Sequence, residues 1–187
     1  MPSENFAAWD LDPSLFDSLK PEERLAFLVR FAVLAPSGHN SQPWKFIVES
    51  GAIVAAPDMA RALPHSDADH RQMYLSLGCA IENLCAAADY YGYGTELSRI
   101  DLDGAPAWRV RVIGAPRPPA ERQTGHRALA AARRRTNRNK YAARPPEPAF
   151  IDWLRGLAAG ETQVRIVDRD PLKARIADVV SDALLEA

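Results

Sequence analysis

The sequence predicts an α+β fold, a mixed or mainly antiparallel sheet flanked by long buried helices, and three observations carry that reading. Two stretches, RLAFLVRFAVLA and YLSLGCAIENLCAAADYY, are apolar at helical spacing over several turns. Two pairs of short β-branched and aromatic runs are each joined by a two-residue turn containing Gly, the pattern of a hairpin. Polar or Pro/Gly-rich connections separate these elements, so helices and strands do not alternate in the regular way of a parallel α/β sheet.

At 187 residues the chain can bury a substantial core. Its net charge of −1 gives no global attraction to nucleic acid or to a membrane surface. The N-terminus carries early acids and no apolar run of the signal-peptide kind, and no window approaches a spanning helix of about 20 apolar residues. A cytoplasmic protein without membrane or nucleic-acid partners is expected. Cys79 and Cys85 lie six apart on one predicted helix, on different faces, so they cannot pair with each other, and both are expected to be buried as small apolar side chains.

Residues 1 to 19 mix Trp9, Leu15 and Phe16 with acids and predict an arm with a helical turn. Pro21 at a helix start, with Glu22 and Glu23 in the first turn, marks the next helix clearly. That helix should be buried on most sides and end at Pro36 and Gly38, Pro lacking an amide hydrogen and Gly tolerating positive φ. The loop that follows, Ser37 to Gln42, is rich in side-chain donors and acceptors and leads into the strand WKFIV. Such a loop can hold a flat polar ligand, although an ordinary helix-to-strand connection would also read this way. Trp44 is read first as a core residue anchoring the strand.

Trp44 to Glu49 and Ala52 to Ala56, around Ser50 and Gly51, form the first predicted hairpin. His65, Asp67, Asp69 and His70 are residue types a metal could use, but no third soft ligand stands at a recognised spacing, and the two aspartates suit helix capping better. A long helix from about Asp69 to Tyr91 follows, its small residues permitting close helix contact. The second hairpin runs from Thr95 to Asp101 and Ala107 to Ile113, with Trp108, Val110 and Val112 on one face and Arg109 and Arg111 on the other. Gly114 to Gly125 reads as a linker. A short helix then leads into RRRTNRNKYAAR, Arg133 to Arg144, which holds six basic residues and no acid. A solvated face or a helix C-terminus would account for it, and no recognisable nucleic-acid reader accompanies it.

APSGHNSQPWKFIV resembles the APSxxNxQPWxF signature of the nitroreductase family of flavoproteins, and the helix ending in Gly92 and Gly94 is similar to that family's central helix, which packs at a dimer interface. RRTNRNKY resembles the RRSxRxF element with which a module of the family opens. The resemblance implies a nitroreductase-like fold, FMN contacts from Pro36, Ser37, Gly38, His39 and Asn40, and a phosphate clamp of Arg134, Arg135, Thr136 and Arg138, with Thr keeping the hydroxyl of the usual Ser. It also implies two modules in one chain: residues 1–113, a linker 114–125, and a second, shortened module 126–187 whose helix, strand and helix cover residues 145 to 187.

On this resemblance the chain would be an FMN-dependent NAD(P)H oxidoreductase reducing nitroaromatics, quinones or similar electron-poor acceptors. A flavin-sequestering protein without turnover, or a dimerising scaffold that has lost flavin, are the alternatives. The final helix would present Leu172, Ile176, Val179, Val180 and Leu184 as an apolar face, which a homodimer could cover. No side chain need act as catalytic acid or base. Ser37 and His39, two apart in a tight loop, lack an orienting acid for nucleophilic catalysis, and no GxGxxG follows a strand.

Overall fold

The computed structural model describes residues 8–137, 139–140, 142, 144–157, 163–167 and 170–185. The chain divides into two compact units, Met1–Thr136 and Asn137–Ala187.

In the first unit, helix α1 (Pro21–Ala32) begins where the sequence marks it: Glu23 accepts a hydrogen bond from the Lys20 amide at 3.0 Å, closing its first turn. It buries Phe27, Leu28, Phe31 and Ala32. Strands β1 (Trp44–Glu49) and β2 (Ala52–Pro57) form an antiparallel hairpin in which Glu49 pairs with Ala52 and Trp44 with Pro57. The 20-residue helix α2 (Arg71–Tyr90) crosses the sheet and leads to β3 (Gly94–Leu102) and β4 (Ala105–Ile113). Asp103 and Gly104 both take positive φ, 53° and 81°, the geometry of a two-residue turn whose twist matches that of the strands. The sheet order is β1-β2-β4-β3, and every pairing is antiparallel. The expected α+β architecture is thus present, with no parallel pair among the described strands.

β2 is covered on both faces, with Ile53 and Ala55 in the main core and Val54 and Ala56 packed with Ala107, Ile100 and Leu102 in a second cluster, so its alternation disappears: all six residues of AIVAAP are buried. On β4, Val110 is buried beneath α2 while Arg109 pairs with Glu49 and Arg111 with Glu96 on the opposite face. The main core joins α1, α2 and this sheet face. At one end of it Phe16 stacks on Tyr91, with ring centroids 3.8 Å apart and Phe27 and Phe31 edge-on to Tyr91. Burial pushes the Tyr91 phenol well above its ordinary range, and its hydroxyl donates to the Pro13 carbonyl at 2.9 Å. These contacts order the arm before α1, whose short 3-10 helix covers Pro13–Ser18.

Residues 114–125, read as a linker from their prolines and glycines, are packed onto the first unit. The Arg117 amide donates to the Tyr91 carbonyl, and the nearly buried Arg122 guanidinium lies 4.8 Å from the Tyr91 ring centre while donating to both oxygens of Asp17. Proline and glycine here shape a seated segment; composition alone does not separate that case from a free tether. Helix α3 (Arg127–Arg133) follows on the same unit, its Ala128 fully buried and its Arg127 paired with Glu82 of α2. The compact division therefore falls at Thr136/Asn137.

The second unit contains helices α4 (Pro148–Arg155) and α5 (Asp170–Leu185), the latter starting at the predicted Asp170. Residues 163–167, expected as a strand, take no strand conformation among the described residues, and none pairs with them; a lone strand has no ladder to hold it. Leu172, Ile176, Val179 and Val180 are exposed. Cys79 is exposed, against expectation, because it lies on the side of α2 turned from the core, whereas Cys85 is half-buried. No described helix is long and apolar enough to cross a membrane.

Candidate functional site

The loop between α1 and β1 is built from short-range hydrogen bonds in an unfavourable backbone. Helix α1 closes through bonds from the Leu34 amide to the Phe31 carbonyl and from the Ala35 amide to the Ala32 carbonyl. Ser37 is then extended, and Gly38–Asn40 make a single 3-10 turn. His39, Asn40 and Gln42 all have positive φ, 49°, 54° and 50°. Three such non-Gly residues within four positions cost about 1–3 kcal/mol each, and strain of this kind persists only where neighbours over-determine it. The Ser37 hydroxyl accepts from the Gln42 amide at 3.0 Å, tying the loop's two ends.

Gly38 itself is not at positive φ, contrary to the expectation that its freedom of φ ends the helix. It gives clearance: a Cβ there would lie 3.0 Å from the Gln72 side-chain oxygen and 3.6 Å from Leu63, so the Gln72 side chain would have to shift. The Gln72 side chain is held in turn by Nε2, which donates to the Ser66 carbonyl at 3.1 Å, while the backbone amides of Gln72 and Met73 donate to the two carboxylate oxygens of Asp67 at 2.8 and 2.9 Å. Asp67 is thus the principal cap of α2, with Asp69 accepting from Arg71, so the capping reading of these acids holds. On the strand side, the Asp58 amide donates to the Pro43 carbonyl and Arg61 donates to the Ser41 carbonyl at 3.2 Å. The Asp58 carboxylate pairs with both Lys45 and Arg61. Hydrogen bonding from Lys45, followed by its charge, the Ala60 amide and Arg61, holds this carboxyl below its ordinary range. Within this frame Pro36, His39 and Asn40 are exposed and Ser37 and Gly38 half-buried, so the predicted loop residues face outward from a braced base.

The basic segment begins where α3 ends. Arg134 donates through Nη2 to the Leu34 carbonyl at 3.1 Å and through Nη1 to the Thr136 hydroxyl at 3.1 Å. Its Nε is buried without a partner among the described residues. Arg135 donates to the Arg134 carbonyl at 2.9 Å and otherwise lies over the Trp9 ring, 4.0 Å from its centre, with Arg134 at 5.7 Å. Among the described residues, no carboxylate lies within ion-pair distance of Arg134 or Arg135. Arg134 is thereby placed at the root of the loop, two residues from Pro36, although 100 positions away in sequence. Arg135 and Thr136 are exposed and make no hydrogen bond to the loop among the described residues, and Arg138 lies outside them.

Sequence reasoning missed Trp9, Asp58, Arg61 and Gln72. A large aromatic in a polar arm was the available sign of the first; nothing local marks the other three, because their roles arise where two connections meet.

Chemically, the arrangement offers guanidinium and hydroxyl donors with unspent hydrogens beside a loop of exposed polar groups. That donor set suits a phosphate monoester joined to a flat polar ring.

No family model matches the chain. Two proteins of Mycobacterium tuberculosis are similar to it over most of its length. The one named "Putative NAD(P)H nitroreductase Rv3131" is 34% identical over 166 residues, covering 86% of this chain and 47% of its own. The one named "Putative NAD(P)H nitroreductase acg" is 29% identical over 165 residues, covering 86% and 49%. A nitroreductase family protein of Streptococcus pneumoniae is 18% identical in a structural match with TM-score 0.40, covering 54% of this chain and 82% of its own, a likeness too low to bear on the argument. The chain spans about half the length of the curated relatives it matches.

Proposed function

We propose that this chain carries an FMN site of nitroreductase type and takes part in NAD(P)H-dependent reduction of nitroaromatic, quinone or similar electron-poor acceptors. The observation that supports this most is the bond from Arg134 to the Leu34 carbonyl. It sets the start of the RRTNR segment against the root of the SGHN loop, the two stretches that carry the family resemblance. Similarity to proteins named as NAD(P)H nitroreductases supports the same reading.

In this reading Arg135 and Thr136 hold the phosphate of FMN, with Arg138 completing the basic run. Arg134 serves chiefly as the tie that fixes this segment to the loop, because its Nη atoms are already engaged. Pro36, Ser37, Gly38, His39 and Asn40 line the flat ring, and the bond between Ser37 and Gln42 keeps their backbone in place. When bound, FMN supplies the hydride and electron transfer itself, from NAD(P)H to the acceptor. The chain's residues bind, orient and exclude, and none is assigned an acid or base role. A cytoplasmic setting, a homodimer, and a reading of residues 1–113 and 126–187 as two modules on either side of 114–125 belong to the same proposal, the modules being units of sequence resemblance and distinct from the compact units that divide at Thr136/Asn137.

The test is anaerobic addition of NADH or NADPH to full-length protein loaded with FMN and desalted. Loss of the flavin absorbance near about 450 nm, and its return on adding a nitroaromatic or quinone, is the expected result. Retained flavin that neither nicotinamide bleaches would establish the sequestering alternative, and protein that retains no flavin would leave the scaffold reading.

A further inference from the structure

The arm ahead of α1 places Trp9 on the basic segment more than 120 residues later in the chain. We propose that Trp9 is a positioning residue for anion binding by Arg135, a role that rests on the FMN reading above. The guanidinium carbon of Arg135 lies over the indole ring at 4.0 Å from its centre, van der Waals contact with the ring face. A guanidinium is planar and all its N–H bonds lie in its plane, so contact through the face leaves the edge free. Among the described residues only Nη1 is engaged, with the Arg134 carbonyl at 2.9 Å. The remaining donors are therefore presented edge-on, the geometry in which guanidinium groups grip phosphate.

The platform is itself fixed. The Asp10 carbonyl, one residue beyond Trp9, accepts from Arg30 of α1 at 2.8 Å. Asp12 accepts from the Ser14 amide at 2.9 Å, and Phe16 is fully buried against Tyr91. An exposed arginine on an irregular segment would otherwise lose its rotamer freedom only when the ligand arrives. Stacking on an anchored indole imposes much of that loss beforehand, which strengthens binding without a new contact to the ligand. The assignment is specific to an anionic group, here the phosphate of FMN, because Trp9 acts through a cation whose remaining donors lie along its edge.

The test compares FMN with riboflavin, which lacks the phosphate, in fluorescence titrations of full-length wild type, Trp9→Ala, Trp9→Phe and Arg135→Ala. Trp9→Ala should raise the FMN dissociation constant about three- to tenfold while leaving that of riboflavin unchanged, and Trp9→Phe should recover most of the loss. Unfolding midpoints measured alongside separate this from general damage to the arm, which would weaken both ligands together. An FMN-to-riboflavin ratio that Trp9→Ala leaves within about twofold of wild type, while Arg135→Ala collapses it, would overturn the role of Trp9 and leave the FMN site standing. A wild type that binds FMN no better than riboflavin would overturn the phosphate site and this inference with it.

Discussion

Gly92→Ala isolates how firmly residues 114–125 are seated on the first unit. Gly92 has φ +93°, and a Cβ there would stand 2.5 Å from the Cβ and 2.6 Å from the backbone nitrogen of Arg117. Placing alanine at positive φ costs about 1–2 kcal/mol from backbone sterics alone. The added methyl must also displace a backbone held by the bond from the Arg117 amide to the Tyr91 carbonyl, an overpacking cost of about 1–3 kcal/mol. The total is about 2–5 kcal/mol, a fall of about 1–2.5 M in the urea midpoint at a slope near 2 kcal/mol/M. Gly114 supplies the control, since it has a nearly identical φ of +91° and nothing within 4 Å of its would-be Cβ. Gly114→Ala should therefore show the backbone cost alone, about 1–2 kcal/mol. The assay is urea unfolding followed by circular dichroism and tryptophan fluorescence. Equal destabilisation by the two substitutions would refute the reasoning, because it would mean that Arg117 does not press against the turn after α2.

Three further outcomes are expected. Asp67→Ala, which removes both carboxylate acceptors from the first turn of α2, should lower stability by about 1–2 kcal/mol in the same unfolding assay. The Asp58 carboxyl titrates below its ordinary 3.8 in the folded chain, so its contribution is complete above that value and fades as pH falls through the lowered one. Asp58→Asn should flatten that part of the acid limb of stability against pH while leaving its slope above neutrality unchanged. Iodoacetamide at mildly alkaline pH should modify the exposed Cys79 about tenfold faster than Cys85, whose thiol burial pushes up; peptide mapping over time reads the order.

Much of the fold is legible because its signals are local. The Asp103–Gly104 turn, the acids after Pro21 and the aspartates before α2 each act within a few residues, so chain order alone exposes them. Arg109 and Arg111 fall on the face predicted from alternation, since β4 has one covered side. What stayed hidden depends on distant partners. The exposure of Cys79 is set by which side of α2 meets the sheet, a matter of one residue's rotation that periodicity does not fix. The packing of residues 114–125 follows from Asp17 and Tyr91 receiving Arg122, contacts with no trace in the segment's own composition.

The candidate site divides in the same way. The loop's polarity is plain in SGHNSQ, but its strain is not, because positive φ falls on His39, Asn40 and Gln42 while the nearby glycine is kept for clearance from Gln72. The basic run is equally plain, and its approach to the loop through Leu34 is a tertiary fact. Trp9 shows the limit most clearly: its partner lies at the other end of the folded unit's sequence.

The most direct measurement is a titration of the flavin-free full-length protein with FMN, followed by quenching of flavin fluorescence and repeated with Arg135→Ala and Ser37→Ala. The account predicts saturable one-to-one binding by wild type. It predicts a loss of at least about tenfold in affinity for Arg135→Ala, as for removal of a charge-assisted phosphate contact, and a smaller loss for Ser37→Ala as the loop loosens. Wild type that does not bind FMN, or that binds it equally well without Arg135, would contradict the claim that the SGHN loop and the RRTNR segment form one phosphate-anchored site.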